Sequence, residues 1–248
     1  KYLGRIGRSG VIRGMIAAAN CRTRASDPYW SSVKLLLHGD TLAFEDSSSV
    51  HRTLFTGGSV TVSTAVKKMG EGSLLFNGSD ASVYTGSSSD FNFGTGDFTI
   101  EVWVRVASQT NNFQSFFSTG VTSWGAGAMS LIAFGTGSGV STAQQGRLGF
   151  GANLGGLELL TAPVTAGDWN HLALTREGDV FRIYLNGASQ QVLSYSGAID
   201  WNYGGNTVIG RNLWDGAQGF FSGYLDDLRV TVGTARTISV PTYPYPDS

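Results

Sequence analysis

Residues 166–187 hold two short periodic runs around a tight turn. Leu172 and Leu174 fall on one side of an extended segment, with Trp169, His171, Ala173 and Thr175 on the other. Glu177, Gly178 and Asp179 supply the turn, because glycine takes the positive φ that a tight hairpin needs. Phe181, Ile183 and Leu185 then alternate with Arg182, Tyr184 and Asn186, and Asn186-Gly187 is a strong hairpin dipeptide. The pattern predicts a β-hairpin inside a larger antiparallel protein. Trp169, at its head, is expected in the core.

A second strand is read from Phe98 to Val106. Phe98, Ile100, Val102, Val104 and Val106 make an unbroken apolar face, with Thr99, Glu101, Trp103 and Arg105 opposite. Trp103 is therefore either a platform on an open sheet or covered by a loop. Around these runs lie short strands separated by turn residues, among them Val33–His38, Ser73–Phe76, Ala81–Thr85, Arg147–Phe150 and Gly223–Val232. With 35 glycines, five prolines and no sustained 3.6-residue period, the chain reads as all-β, an antiparallel two-sheet jelly-roll sandwich. The loosest stretch, 135–146, is the expected mobile loop. Cys21 is the single cysteine, so no intramolecular disulfide holds the fold. No apolar run reaches the ~20 residues of a membrane helix, and membrane insertion is not expected.

Charge divides the chain. Residues 1–26 carry Lys1, Arg5, Arg8, Arg13, Arg22 and Arg24 and no acid, which leaves 11 basic against 18 acidic groups for the rest. A basic arm on an acidic body points to a partner. Ile6, Val11, Ile12, Met15 and Ile16 lie among those basic groups, so docking on a protein is favoured over nucleic acid. The organisation expected is an extended basic N-terminal arm over 1–28, a sandwich over 29–236 and a Pro-rich tail over 237–248.

Five stretches occur in a telling order: Ser73–Gly78, Gly96–Val104, Trp169–Arg176, Tyr184–Gly187 and Gly223–Arg229. Together they resemble a laminin-G-like domain of the concanavalin A-like jelly-roll superfamily, over roughly 30–236. Leu35–Asp40, Asp226–Thr231 and the run from Pro241 to Pro246 resemble versions found in tailed-phage structural proteins. The resemblance implies a virion protein, decorating a capsid or adhering at a tail. Its partners would be other virion proteins held through residues 1–26, further copies of itself in the assembly, and host-surface glycan. A secreted or cell-surface lectin-like module is the alternative. The family pattern nominates Asp80 and Asp226 for a structural calcium; Asn77, where an aspartate is usual, argues against it. No other cofactor is implied.

Catalysis is not expected. A glycosidase of this superfamily needs two carboxylates close together on one sheet face. This chain offers Glu101 alone, plus Asp226 and Asp227 as sequence neighbours that alternation would send to opposite faces. His38, His51 and His171 lack metal-ligand spacing, and His171 reads as a hydrogen-bonded residue of the sandwich. For glycan binding the candidates are Trp124, Trp201, Tyr203 and Trp214, aromatics in Gly/Asn-rich loops that could stack on a sugar ring.

Overall fold

The structure, a computed structural model, describes residues 26–41, 44–119, 129–152, 157–199, 206–212 and 219–248. Fifteen strands follow one another among these: β1 (Val33–Leu37), β2 (Phe55–Gly57), β3 (Thr61–Ser63), β4 (Ser73–Asn77), β5 (Ser82–Ser87), β6 (Phe98–Val106) and β7 (Phe113–Thr119). Then come β8 (Met129–Phe134), β9 (Arg147–Ala152), β10 (Leu157–Pro163), β11 (Asn170–Glu177), β12 (Val180–Leu185), β13 (Ala188–Ser194), β14 (Asn206–Ile209) and β15 (Ser222–Val232). They form two antiparallel sheets. One runs β13-β12-β11-β6-β15-β4-β3, with β1 also paired to β15; the other runs β10-β9-β8-β7-β14-β5-β2. The expected two-sheet sandwich is what the chain forms.

Alternation explains the core. The five apolar residues of β6 are each at most 2% exposed and point between the sheets, beside Leu172 and Leu174 of β11. Phe150 of β9 stacks on Phe181 of β12 with ring centroids 5.9 Å apart, joining one sheet to the other. The hairpin forms as expected, Leu172 facing Leu185 and Glu177 facing Val180. Asn186 takes φ +49 and Gly187 φ +79, the left-handed pair that the turn into β13 requires. Arg176 is fully buried without a carboxylate hydrogen-bonded to it. It donates instead to the carbonyls of Gly94, Gly178, Tyr195 and Gly197, which ties two loops to the sheet end.

Two expectations fail here. Trp169 is only half-buried; it precedes β11 on the His171 side, away from the inter-sheet core, and its ring lies 6.4 Å from Tyr224. The stretch 135–146 is pinned by Val140, 4% exposed, which packs with Ile132, Phe134 and Leu160. Composition suggested mobility there, but one buried valine and the hydrogen bond from Val140 N to Gly137 O give the loop its own small core.

The first and last described segments meet. Asp27 N donates to Ser248 O at 2.9 Å, and β1 pairs with β15 from Val33↔Thr231 to Leu37↔Leu228. The stretches Leu35–Asp40, Asp226–Thr231 and Pro241–Pro246 thus come together: β1, its partner β15, and the tail beside them.

Candidate functional site

The outer face of the eight-stranded sheet carries the chain's clustered carboxylates, and it is closed where β6, β11 and β15 lie side by side. Here β6, β11 and β15 present Glu101, Trp103, His171, Asp226, Asp227 and Arg229. Arg229 donates to Glu101 Oε2 from Nη2 at 2.6 Å and Nε at 3.2 Å, and to Asp27 Oδ2 from Nη1 at 3.0 Å. Arg236 holds both oxygens of Asp27 at 2.9 Å. Tyr245, 6% exposed, closes the cluster: the Arg229 guanidinium lies 3.6 Å from its ring centre, and its hydroxyl shares a 3.0 Å hydrogen bond with His171 Nε2. Its backbone N–H donates to Asp227 Oδ2 at 2.9 Å.

Trp103 is covered, which settles the alternative left open by the sequence. Residues 66–72 cross it, with Lys68 Nζ 4.3 Å from its ring centre. Asp226 holds that loop, its Oδ2 accepting from Lys68 N at 2.7 Å and Met69 N at 2.9 Å. Asp226 and Asp227 do not point to opposite faces as alternation suggested. A bulge between Asp226 and Arg229 puts an extra residue against β6, and Asp227 takes φ +46. Both side chains therefore turn outward while Leu225 and Leu228 stay in the core.

Electrostatics follow burial. Desolvation pushes Asp226 up to about 7 against its two amide donors, helped by the nearby charges of Asp227 and Asp40. Desolvation takes His171 down to about 4, so the imidazole is neutral at ordinary pH despite Glu101. Asp27 is buried too, yet the Arg236 hydrogen bonds, the Tyr29 amide and the Arg236 and Arg229 charges hold it below the usual carboxylate range.

The other sheet keeps an open face. Phe55 of β2 sits opposite Tyr84 of β5, which sits opposite Val208 of β14; Val83 and Ile209 take the core side. The Phe55 and Tyr84 rings stack at 5.8 Å with planes 16° apart, and Phe55 is 49% exposed. Beside them a depression of about 300 Å³ is lined by Gly57, Gly58, Asp80, Ser82, Asn206 and Arg211, along with Tyr84 and Val208. Gly58 takes φ +61, and a Cβ there would overlap the carbonyl of Asp80, so glycine brings the turn against that residue. Asp80 accepts from Asn77 Nδ2 at 2.6 Å and Ser59 N at 3.0 Å, and these donors hold its carboxyl below the usual range. A larger hollow of about 450 Å³ near His51 is less suited to a ligand. Its Arg52 is already engaged by Lys34 O, Ser88 and Asp90, and its Asp46 by the amides of Leu36, Ser48 and Arg52.

The donor set does not suit calcium. Asn77 Oδ1 accepts from the amides of Ser79, Asp80 and Ala81, which fixes its NH₂ toward Asp80, where a cation would have to sit. Asp226 lies on the opposite outer face, bonded to amides, and no cluster of three metal-ligating side chains occurs among the described residues. Trp124, Trp201, Tyr203 and Trp214 lie outside the described residues, as do Arg5, Arg8, Arg13, Arg22 and Arg24. In sequence, 200–205 precede β14 and 213–218 follow it. Sequence reading missed Phe55, Tyr84 and Arg211. The Phe55–Tyr84 pairing across a three-residue strand leaves no periodic signal.

A sandwich of this topology, with one face closed by its own chain and one open, is a lectin-like jelly roll. The family described as the concanavalin A-like lectin/glucanases superfamily, in its laminin-G form, matches residues 77–237, and the chain belongs to it. By sequence, no curated protein matches. Among solved structures, domain 4 of AbnA, an extracellular arabinanase from Geobacillus stearothermophilus solved with arabinotriose, superposes with a TM-score of 0.59 at 17% identity, covering 83% of this chain and 95% of that one. The binding domain of Paraclostridial Mosquitocidal Protein 1 gives 0.63 at 15%, covering 84% and 50%. A botulinum neurotoxin type C structure, from work on cell entry through two ganglioside molecules, gives 0.61 at 11%, covering 84% and 49%. The chain thus spans about half the length of the two toxin chains.

Proposed function

We propose that this protein is a carbohydrate-binding module whose glycan lies against the outer face of β2, β5 and β14. The exposed Phe55–Tyr84 stack carries the reading, because the apolar face of a sugar ring packs on an aromatic ring and the stack borders a polar hollow. Asp80, Ser82 and Asn206 around the hollow offer acceptors and donors for sugar hydroxyls. The likeness to an arabinanase domain seen with arabinotriose supports the class of ligand. Binding is favoured over catalysis because Glu101 is bonded to Arg229 beneath Tyr245. Phe55→Ala should abolish retention on immobilised oligosaccharides while changing stability by less than about 0.5 kcal/mol. A glycan array with no ligand for the folded wild-type chain would refute the reading.

A second reading concerns where the module is carried. The acid-free basic stretch 1–26 ends where Asp27 is clamped by Arg229 and Arg236, so tension on the arm would be borne by the sheet. This favours a tethered component of a larger assembly such as a virion, in line with the phage-like stretches. Deleting residues 1–25 should leave melting unchanged and prevent incorporation into particles; full incorporation would refute the tether.

A further inference from the structure

Arg211 is the feature of the open face that the glycan reading does not use. It follows β14 directly and is half-buried. Its guanidinium lies 4.3 Å from the Phe220 ring centre, with Nε donating to Asn212 O at 2.8 Å. Among the described residues no group accepts from its Nη nitrogens and no carboxylate forms an ion pair with it. Asp80 lines the same hollow, but it is engaged by Asn77 and Ser59 instead. A partly desolvated cation without a counter-charge is costly to keep, and it favours an anion arriving from solution. Burial draws the Arg211 pKa below its ordinary value, in keeping with the lack of a counter-charge among the described residues. Arg176 shows the contrast: it is buried as well, but backbone carbonyls take its donors.

We propose that the depression beside Phe55 and Tyr84 selects saccharides bearing a carboxylate or sulfate, with Arg211 as the group that recognises the charge. The inference rests on the glycan-binding reading of the same site. The sugar ring packs on the Phe55–Tyr84 stack while its acid group meets the two Nη nitrogens, a planar fork suited to bidentate oxyanions. A hollow of about 300 Å³ is at the small end for ligand sites, which favours a terminal acidic residue over a long segment of polymer.

Titration calorimetry on the full chain with matched sugars tests this: 3′-sialyllactose and 6′-sulfolactose against lactose, and trigalacturonate against its methyl ester. At least one acidic member should bind about tenfold more tightly than its neutral partner at low salt, a gap that 0.5 M NaCl narrows. Arg211→Gln should erase the gap and Arg211→Lys should retain part of it, whereas Phe55→Ala should weaken acidic and neutral sugars alike. The sialyl and sulfo arms separate carboxylate from sulfate recognition. Equal binding of acidic and neutral partners would overturn the inference and leave the glycan reading standing. So would an acidic preference that survives Arg211→Gln. No binding by any of the sugars at millimolar concentration would overturn both. The wild-type comparison decides the matter even if Arg211→Gln proves poorly folded.

Discussion

The two outer faces of this sandwich are built from similar materials and treated in opposite ways. On the eight-stranded sheet, aromatic, acidic and basic side chains are abundant, and nearly all are spent on one another beneath the chain's own C-terminal segment. On the seven-stranded sheet, near β2, β5 and β14, the same residue types are sparse but remain available to solvent. Polar richness therefore does not mark the proposed binding face; what marks it, among the described residues, is an exposed aromatic stack beside an open depression.

Removing Arg229 should break that contrast most severely. Arg229→Ala leaves Glu101 and Asp27 buried beside a cavity, at a cost of about 3–5 kcal/mol in denaturant unfolding. A loss under about 1 kcal/mol would mean that the face is open and hydrated. Tyr245→Ala should come next, at about 3 kcal/mol, since it empties a buried aromatic site and frees His171. Saccharide binding should be untouched in Tyr245→Ala; lost binding would show that the two faces are coupled.

The pH dependence sharpens the comparison further. Asp226 has its folded pKa raised from 3.8 to about 7, so its stabilisation is complete below the lower value and lost as pH rises through the upper one. His171 is the reverse, lowered from 6.5 to about 4, with stability present above the upper value and lost as pH falls through the lower one. Asp226→Asn should therefore gain about 2 kcal/mol over wild type at pH 8 and little at pH 4, a figure well below the full linkage to allow for relaxation. Melting curves across that range check it, and an unchanged difference at the two pH values would count against a strained carboxylate. The smallest effect expected is that of Trp169→Ala, about 1 kcal/mol, because the ring is half-buried on the outer side. A loss of 3 kcal/mol or more would return Trp169 to the core.

Much of the fold was legible in the sequence because burial on one side of a strand writes itself as alternation. Phe98 to Val106 and the hairpin from Asn170 to Leu185 show this directly. Alternation fails where backbone conformation departs from the regular strand. Asp227 at φ +46 turns two neighbours to one face, and nothing in the residue types announces the extra residue. It fails again where both faces are buried: His171, Ala173 and Thr175 look like a solvent side, yet all three are buried, His171 against Tyr245 of a tail whose own sequence has no period. The site was least legible. Loop tryptophans stand out in a sequence, whereas the Phe55–Tyr84 stack and the placing of Arg211 beside it depend on pairing between strands far apart in the chain.

The hydrogen bond between Asp27 and Ser248 has a consequence for engineering. Because these residues adjoin, a short linker could splice them, and the ring so formed could be reopened at the turn of Asn186 and Gly187 without removing a strand pair of the sandwich. Such a circular permutant should keep the fold, since chains of this kind tolerate new ends at exposed turns. By the same geometry the body could sit as an insertion in a surface loop of another protein, entering and leaving at one point, with the face of Phe55 still free to meet its ligand.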